Sequence, residues 1–215
     1  MKKIYTPLLL LFLFASCSPH LVTKGIQDKT SNYIVTAGGK HIDAASVEVT
    51  KDAVSAGSAT YTLYSISAIK QGQAYYGVKD GQLYDGVYYG KLMLLRRYSG
   101  MTYDMNTHLS RASYRFYLQK EGQPDIVDLT NNNLIDYVQD NPLALQKARA
   151  AKIYTNVCYI SGFTAIAGLA CVFLPYSSRV RTPAVTAGLI ALPTFIITMP
   201  IAGHKKFKAI NIYNR

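Results

Sequence analysis

Two stretches near the C-terminus carry no Asp, Glu, Lys or Arg: Ile153 to Ser178, and Thr182 to Gly203. Each reaches the roughly 20 apolar residues that a helix needs to cross a bilayer, so these segments must find either lipid or a large protein core. Only Arg179-Val180-Arg181 lies between them, and so short a connection makes the two helices antiparallel neighbours. The first run holds Ser161, Gly162, Thr164, Ala165, Ala167, Gly168 and Ala170, and the second Ala184, Ala187, Gly188 and Ala191. In lipid, small side chains let backbones approach, and Thr164/Gly168 and Ala184/Gly188 both follow the small-xxx-small spacing. Pro193 and Pro200 are expected to kink the second helix or end it early. A composition of 49% hydrophobic and 16% charged residues agrees with a chain that places part of itself in a membrane.

Upstream the pattern changes from helix to strand. Residues 17–45 show little periodicity and carry Pro19, Gly25, Gly38 and Gly39, which reads as a tether with a short strand at Tyr33-Ile34-Val35. Residues 46–120 read as a β-rich module. Valine alternates with polar residues from Ser46 to Thr50, and Thr60 to Ile69 is rich in Thr, Tyr and Ile. Ala74–Val78 and Gln82–Tyr84 flank Asp80-Gly81, a pair that tolerates the positive φ of a hairpin turn, and Asp85-Gly86 is expected to make a second turn. Leu92-Met93-Leu94-Leu95 puts four apolar side chains in a row, the mark of a strand buried on both faces. Tyr114–Leu118 is the last strand before Glu121-Gly122-Gln123-Pro124, and the whole predicts a meander of about five strands.

Residues 125–152 then form a helical connector. Thr130-Asn131-Asn132-Asn133 offers N-caps, Asn141-Pro142 starts a new helix, and nothing breaks that helix before Ile153, so one rod is expected to run on into the first apolar run. The fold class is α+β: a small antiparallel β meander, then helices running into a two-helix transmembrane hairpin over 153–204, then a basic tail over 205–215.

Residues that carry chemistry are sparse. His20, His41, His108 and His204 are scattered, and no HExxH, GxSxG, Walker or GxGxxG pattern is present. Cys158 and Cys171 lie inside the first apolar run, where a thiol behaves as a small hydrophobe, and there is no CxxC pair. Asp80, Asp85, Asp104 and Glu121 are the carboxylates available for a hydrolytic pair, but three of them sit at predicted turns, where Asp is favoured for backbone reasons. No catalytic residue, metal ligand or cofactor is assigned. The chain has 18 Tyr and no Trp. Tyr75, Tyr76, Tyr88 and Tyr89 fall in the predicted meander. Neighbouring strand positions point to opposite faces, so one of each pair is expected to be exposed. With Arg96 and Arg97 these tyrosines form a candidate partner-binding face, able to stack on and bond a glycan or a protein.

The N-terminus reads Lys2-Lys3, an apolar stretch from Leu8 to Phe14, then Ala15-Ser16-Cys17. It resembles a bacterial lipoprotein precursor, with Phe14 standing where that family most often has Leu. The resemblance implies a signal peptide over 1–16 and acylation of Cys17, the palmitate-type anchor of the mature chain. The apolar hairpin followed by Ala209-Ile210-Asn211-Ile212-Tyr213-Asn214 is similar to envelope lipoproteins of Bacteroidota, a likeness that brings no activity with it. Residues 18–22, Ser-Pro-His-Leu-Val, lack the acidic cluster that resembles a surface-export signal, which implies a periplasm-facing position for residues 18–150, on the inner or the outer membrane. Lys147, Arg149, Lys152, Lys205, Lys206 and Lys208 flank the hairpin and would by the positive-inside rule draw both its ends to the cytoplasm, against the export signal. A net charge of +11 favours anionic surfaces. For an exported chain these are phospholipid headgroups or envelope components; nucleic acid is not expected. The function that follows is a non-enzymatic structural or interaction module anchored in the envelope. Its alternatives are a pore-forming oligomer of the hairpin and a wall or glycan hydrolase.

Overall fold

A computed structural model describes residues 31–50, 52–104, 109–172 and 178–215. Residues 1–30, where the signal peptide and the acylation of Cys17 are expected, and His108 lie outside the described residues. The architecture is α+β, with strands up to Asp128 and helices after it. It divides into two compact units, one holding the described residues up to Tyr137 together with Tyr213–Arg215, the other Val138–Ile212.

Eleven strands build the first unit: β1 (Tyr33–Thr36), β2 (His41–Asp43), β3 (Val47–Val49), β4 (Ala53–Ala56), β5 (Ala59–Thr62), β6 (Ile66–Gln71), β7 (Ala74–Lys79), β8 (Gln82–Tyr88), β9 (Leu92–Asp104), β10 (Leu109–Lys120) and β11 (Ile126–Asp128). Eight of them form one antiparallel sheet in the order β11-β10-β9-β8-β7-β6-β1-β2, so that β6 to β11 are a meander in chain order, and β3-β4-β5 form a second sheet. The count exceeds the expected five because several strands are only three or four residues long, too short to show a period of two. The short strand expected at Tyr33-Ile34-Val35 is β1; within the span read as a tether it makes a hairpin with β2, turned at Gly39 (φ 81°), and pairs with β6.

The turn at Asp80-Gly81 has positive φ at both residues, 53° and 69°, and joins β7 to β8 as expected. Asp85-Gly86 is no turn. It lies inside β8, paired with Arg96 and Leu95, and a Cβ at Gly86 would meet the Tyr75 carbonyl oxygen at 2.8 Å. Close packing of strands, not a change of direction, requires that glycine.

Both faces of the meander are covered. On one, Ala68, Tyr75, Tyr84, Met93, Leu95 and Ile126 pack together; on the other, Ile34, Ile66, Ile69 and Val78 pack with Val47, Val54 and Leu63 beneath the second sheet. The sheet curls on its first face: a Cβ at Gly77 of β7 would lie 2.6 Å from Leu95 Cδ1 and 2.8 Å from Ile126 Cδ1. Leu92 to Leu95 are all buried. Each such side chain removed from water contributes about 1.5–3 kcal/mol. β9 and β10 outrun their neighbours, since β8 pairs with β9 only up to Arg96 and β11 with β10 only at Tyr117–Gln119. Beyond those points the two strands continue as a ribbon that exposes Tyr98, Met101 and Tyr103.

Helix α1 (Asn131–Tyr137) begins at Thr130, whose Oγ1 accepts from Asn133 N–H at 3.1 Å. The end of the chain returns to this unit. Leu92 N–H donates to Asn214 Oδ1 at 2.7 Å, Asn214 Nδ2 donates to the Leu92 carbonyl at 2.8 Å, and Lys120 Nζ stands 5.6 Å from the Tyr213 ring centroid.

The second unit is two long helices. Helix α2 (Pro142–Ala170) is capped by Asn141, whose Oδ1 accepts from Ala144 N–H at 3.1 Å, and it runs from the polar connector through the charge-free run without interruption. Helix α3 (Ser178–Tyr213) passes Pro183, Pro193 and Pro200 and takes in most of the basic tail. The expectation that proline ends it early is therefore wrong. Each proline removes one backbone hydrogen bond, and the helix continues past all three. The helices meet at glycine: a Cβ at Gly168 would lie 2.5 Å from the Ala184 carbonyl oxygen and 2.6 Å from Gly188 Cα. Thr164 is only half-buried and bonds its own helix at the Ile160 carbonyl, while Ser161, Ala165 and Gly168 are the buried row of α2.

Candidate functional site

Register brings one polar group of the β unit together. Tyr33 of β1 pairs with Lys70 of β6, and Lys70 with Tyr75 of β7, so the three side chains stand in a row on one face. Tyr89, just past β8, closes the group. Its hydroxyl lies 2.9 Å from that of Tyr33, and its ring centroid 5.4 Å from that of Tyr75. The Tyr75 hydroxyl donates to Gln119 Oε1 at 3.0 Å, and Gln119 Nε2 donates to the Gln123 carbonyl at 3.0 Å. Lys70 is 1% exposed; its ammonium donates to Ser31 Oγ at 2.6 Å and stands 5.9 Å from the Tyr33 ring centroid. Hydrogen bonds and a ring face offset part of the cost of taking that charge out of water.

A pocket of about 190 Å³ opens beside this group, lined by Tyr33, His41, Tyr75, Met93, Gln119 and Glu121 among others. Burial pushes the hydroxyls of Tyr33 and Tyr75 well above the usual tyrosine range, and the Tyr89 hydroxyl and Glu121 carboxylate push the same way. Both remain neutral phenols near neutral pH. They donate hydrogen bonds and present rings, and they do not supply a nucleophile or a base.

The six residues expected to form a partner-binding face do not share one. Tyr75 and Tyr89 belong to the cluster just described, Tyr76 is half-buried on the opposite face against the second core, and Tyr88 is 8% exposed. Neither tyrosine pair has a fully exposed member, because both faces of the sheet are covered here. Arg96 and Arg97 point to opposite faces of β9. Arg96 is exposed, its guanidinium 4.7 Å from the Tyr114 ring centroid and its Nε 3.7 Å from Asp85 Oδ2; Arg97 lies 5.7 Å from the Tyr84 ring centroid.

Sequence reasoning misses Tyr33, Lys70 and Gln119, which carry no local motif and are joined only by strand register and by the curl of the sheet. Of the carboxylates weighed for hydrolysis, Asp80 forms a turn, Asp85 faces Arg96 and Glu121 lines the pocket, while the Asp104 side chain lies outside what the structure describes. Among the described residues no group of three His, Cys, Asp or Glu is placed to hold a metal ion. In the second unit, α2 and α3 are each long and apolar enough to cross a membrane, with only 22% and 17% of their most apolar windows buried. The chain matches no protein-family model, no curated protein and no solved structure.

Proposed function

We propose that this protein is a non-enzymatic interaction module anchored in a bacterial cell envelope, held to lipid by acylated Cys17 and by α2 and α3 and presenting its β unit on the periplasmic side. The observation that carries this reading is the inverted polarity of the helix pair. Small residues, Ser161, Ala165, Gly168, Gly188 and Ala191, are buried, while Ile160, Phe163, Ile166, Leu189, Ile190 and Met199 are exposed. In water so large an apolar exterior is unfavourable; in hydrocarbon it costs nothing, and the tight glycine contact supplies the attraction between helices. The chain leaves the β unit at Tyr137 and rejoins it at Tyr213.

Two observations weigh against the alternatives. Gly168 and Gly188, which a pore-forming oligomer would use, already face each other within one chain. Of the candidate carboxylates whose side chains are described, Asp80 forms a turn, Asp85 faces Arg96 and Glu121 lines the pocket, so these three do not form a hydrolytic pair. Metabolic labelling with a fatty acid, comparing wild type with Cys17→Ala, tests the anchor. Label should enter the wild type only, and both forms should resist carbonate extraction through the helices. Recovery of untrimmed, unlabelled protein in the soluble fraction would overturn the reading.

A further inference from the structure

The ribbon that β9 and β10 form beyond the sheet is sorted into two faces by a single extra residue. Tyr114 pairs with Tyr98 and Ser113 with Gly100, so Ser99 is a bulge with no register partner, followed by Gly100 at φ 141°. Tyr98 and Met101 are three positions apart and would point to opposite faces of an unbroken strand. The bulge resets that alternation. Tyr98 opposite Tyr114, Met101 opposite Ala112 and Tyr103 opposite Ser110 thereby share one face with Arg96, opposite Phe116. Tyr98, Met101 and Tyr103 are each more than half exposed, and Met101 reaches 72%. The other face carries cations. Arg97 and Arg115 stand directly opposite each other, a like-charge pair that costs stability, and neither has an ion-pair partner among the described residues. Arg96 is offset by Asp85.

We propose that this ribbon is a docking surface for an anionic phospholipid bilayer, with Tyr98, Met101 and Tyr103 seated among the head groups and Arg96, Arg97 and Arg115 supplying the attraction. Tyrosine suits that depth because its ring is apolar and its hydroxyl stays wet. Arg96 lies on the seated face. Once that face has sunk among the head groups, Arg97 and Arg115 stand within about one Debye length, roughly 8 Å, of the phosphates, which relieve the repulsion between them. A second copy of the chain fits the face less well, since it would set the same cations against each other. The bulge and the arginines also blunt the edges of the ribbon against strand addition. The inference rests on the membrane setting of the proposed function, but not on acylation of Cys17.

The chain has no Trp, so a single introduced indole reports the contact. The full chain carrying Met101→Trp is reconstituted in bilayers of phosphatidylglycerol and a phosphatidylcholine brominated high on its acyl chains. The bromines should quench the indole, since an interfacial apolar face lies about 5–10 Å into the head-group boundary. Tyr64→Trp, at an exposed tyrosine of the β unit outside the ribbon, should escape quenching. Replacing phosphatidylglycerol with neutral lipid should remove most of the effect. Adding Arg115→Gln, at an exposed position, should weaken docking about fivefold, and adding Arg97→Gln as well about 25-fold. Thermal unfolding of Arg115→Gln should be unchanged or raised, because a like-charge pair is removed. In bilayers with which the protein floats, quenching that is absent, equal in the two Trp variants, indifferent to phosphatidylglycerol or indifferent to both arginine changes would overturn the proposal. Shielding of the Met101→Trp indole from a water-soluble quencher in micelles, rising with protein concentration, would assign the face to a second copy and overturn it too. A chain that does not float with bilayers refutes the anchoring reading instead, and its quenching by added vesicles of the same lipids still decides for or against the ribbon.

Discussion

Asn214 makes the sharpest structural prediction. β8 pairs with β9 only from Leu94 onward, so the edge of β9 at Leu92 lacks a strand on that side. The Asn214 side chain takes its place. As a primary amide it offers one acceptor and one donor in the geometry of a peptide group, and it uses both on Leu92, at 2.7 and 2.8 Å. Gly90 makes the approach feasible, since a Cβ there would stand 2.6 Å from Asn214 Cγ. Replacing Asn214 with Ala removes two hydrogen bonds of about 0.5–1.5 kcal/mol each and leaves a part-buried N–H and C=O without these partners, a loss of about 2 kcal/mol in total. Local opening at Leu92 should then become about 30-fold more frequent, at 1.4 kcal/mol per factor of ten. The assay is amide hydrogen exchange of the full chain in micelles, read at Leu92 and at the Met93–Leu95 amides beside it. Gly90→Ala should produce a similar loss by displacing the amide. Asn214→Asp keeps an acceptor for the Leu92 N–H but turns a carboxylate oxygen toward the Leu92 carbonyl, and should be no better than Ala. Exchange at Leu92 within twofold of wild type in Asn214→Ala would refute the reasoning, because the two bonds would then contribute nothing.

Other perturbations separate the two units and the two kinds of packing. Gly168→Leu drives a side chain into the backbone of Ala184 and Gly188 and should lower the stability of the helix pair in micelles by about 1–3 kcal/mol, whereas Gly203→Ala, with nothing within 4 Å of its Cβ, should leave thermal unfolding unchanged or slightly raised. Leu95→Ala opens a cavity at a fully buried position and should cost the β unit about 2–5 kcal/mol in denaturant titration followed by tyrosine fluorescence. Tyr33 and Tyr75 should ionise later than ordinary tyrosines in a tyrosinate absorbance titration. Because their folded values lie above the unfolded one near 10, their contribution to stability is complete below about pH 10 and is lost as pH rises beyond it. Joint titration of all the tyrosines near the ordinary value would contradict the burial described for these two.

The parts of this fold that sequence exposes are those decided by short-range physics. A helix must satisfy its backbone within itself, so two charge-free runs and an Asn-Pro start are enough to place α2 and α3. Asp80-Gly81 announces its hairpin because positive φ at two successive residues is a local demand. Asp85-Gly86 shows the limit of that logic. The same dipeptide lies inside a strand because Tyr75, eleven positions before Gly86, leaves no room for a Cβ, and only pairing across β7 and β8 creates that demand. The candidate site fails to show for the same reason. Tyr33, Lys70 and Tyr75 are neighbours by register, Gln119 and Glu121 reach them by the curl of the sheet, and none of these relations leaves a spacing in the chain. The tyrosine pairs are less exposed than a strand pattern implies, because that pattern reports one covered face and a second sheet beneath β6 and β7 covers the other. Asn214 joins the two regimes. It stands at the end of a helix whose place is set locally, and its side chain is spent on a strand edge 122 residues earlier. A Tyr-Asn that reads in sequence as the close of a basic tail is therefore part of the β unit, held there by two bonds that no local pattern announces.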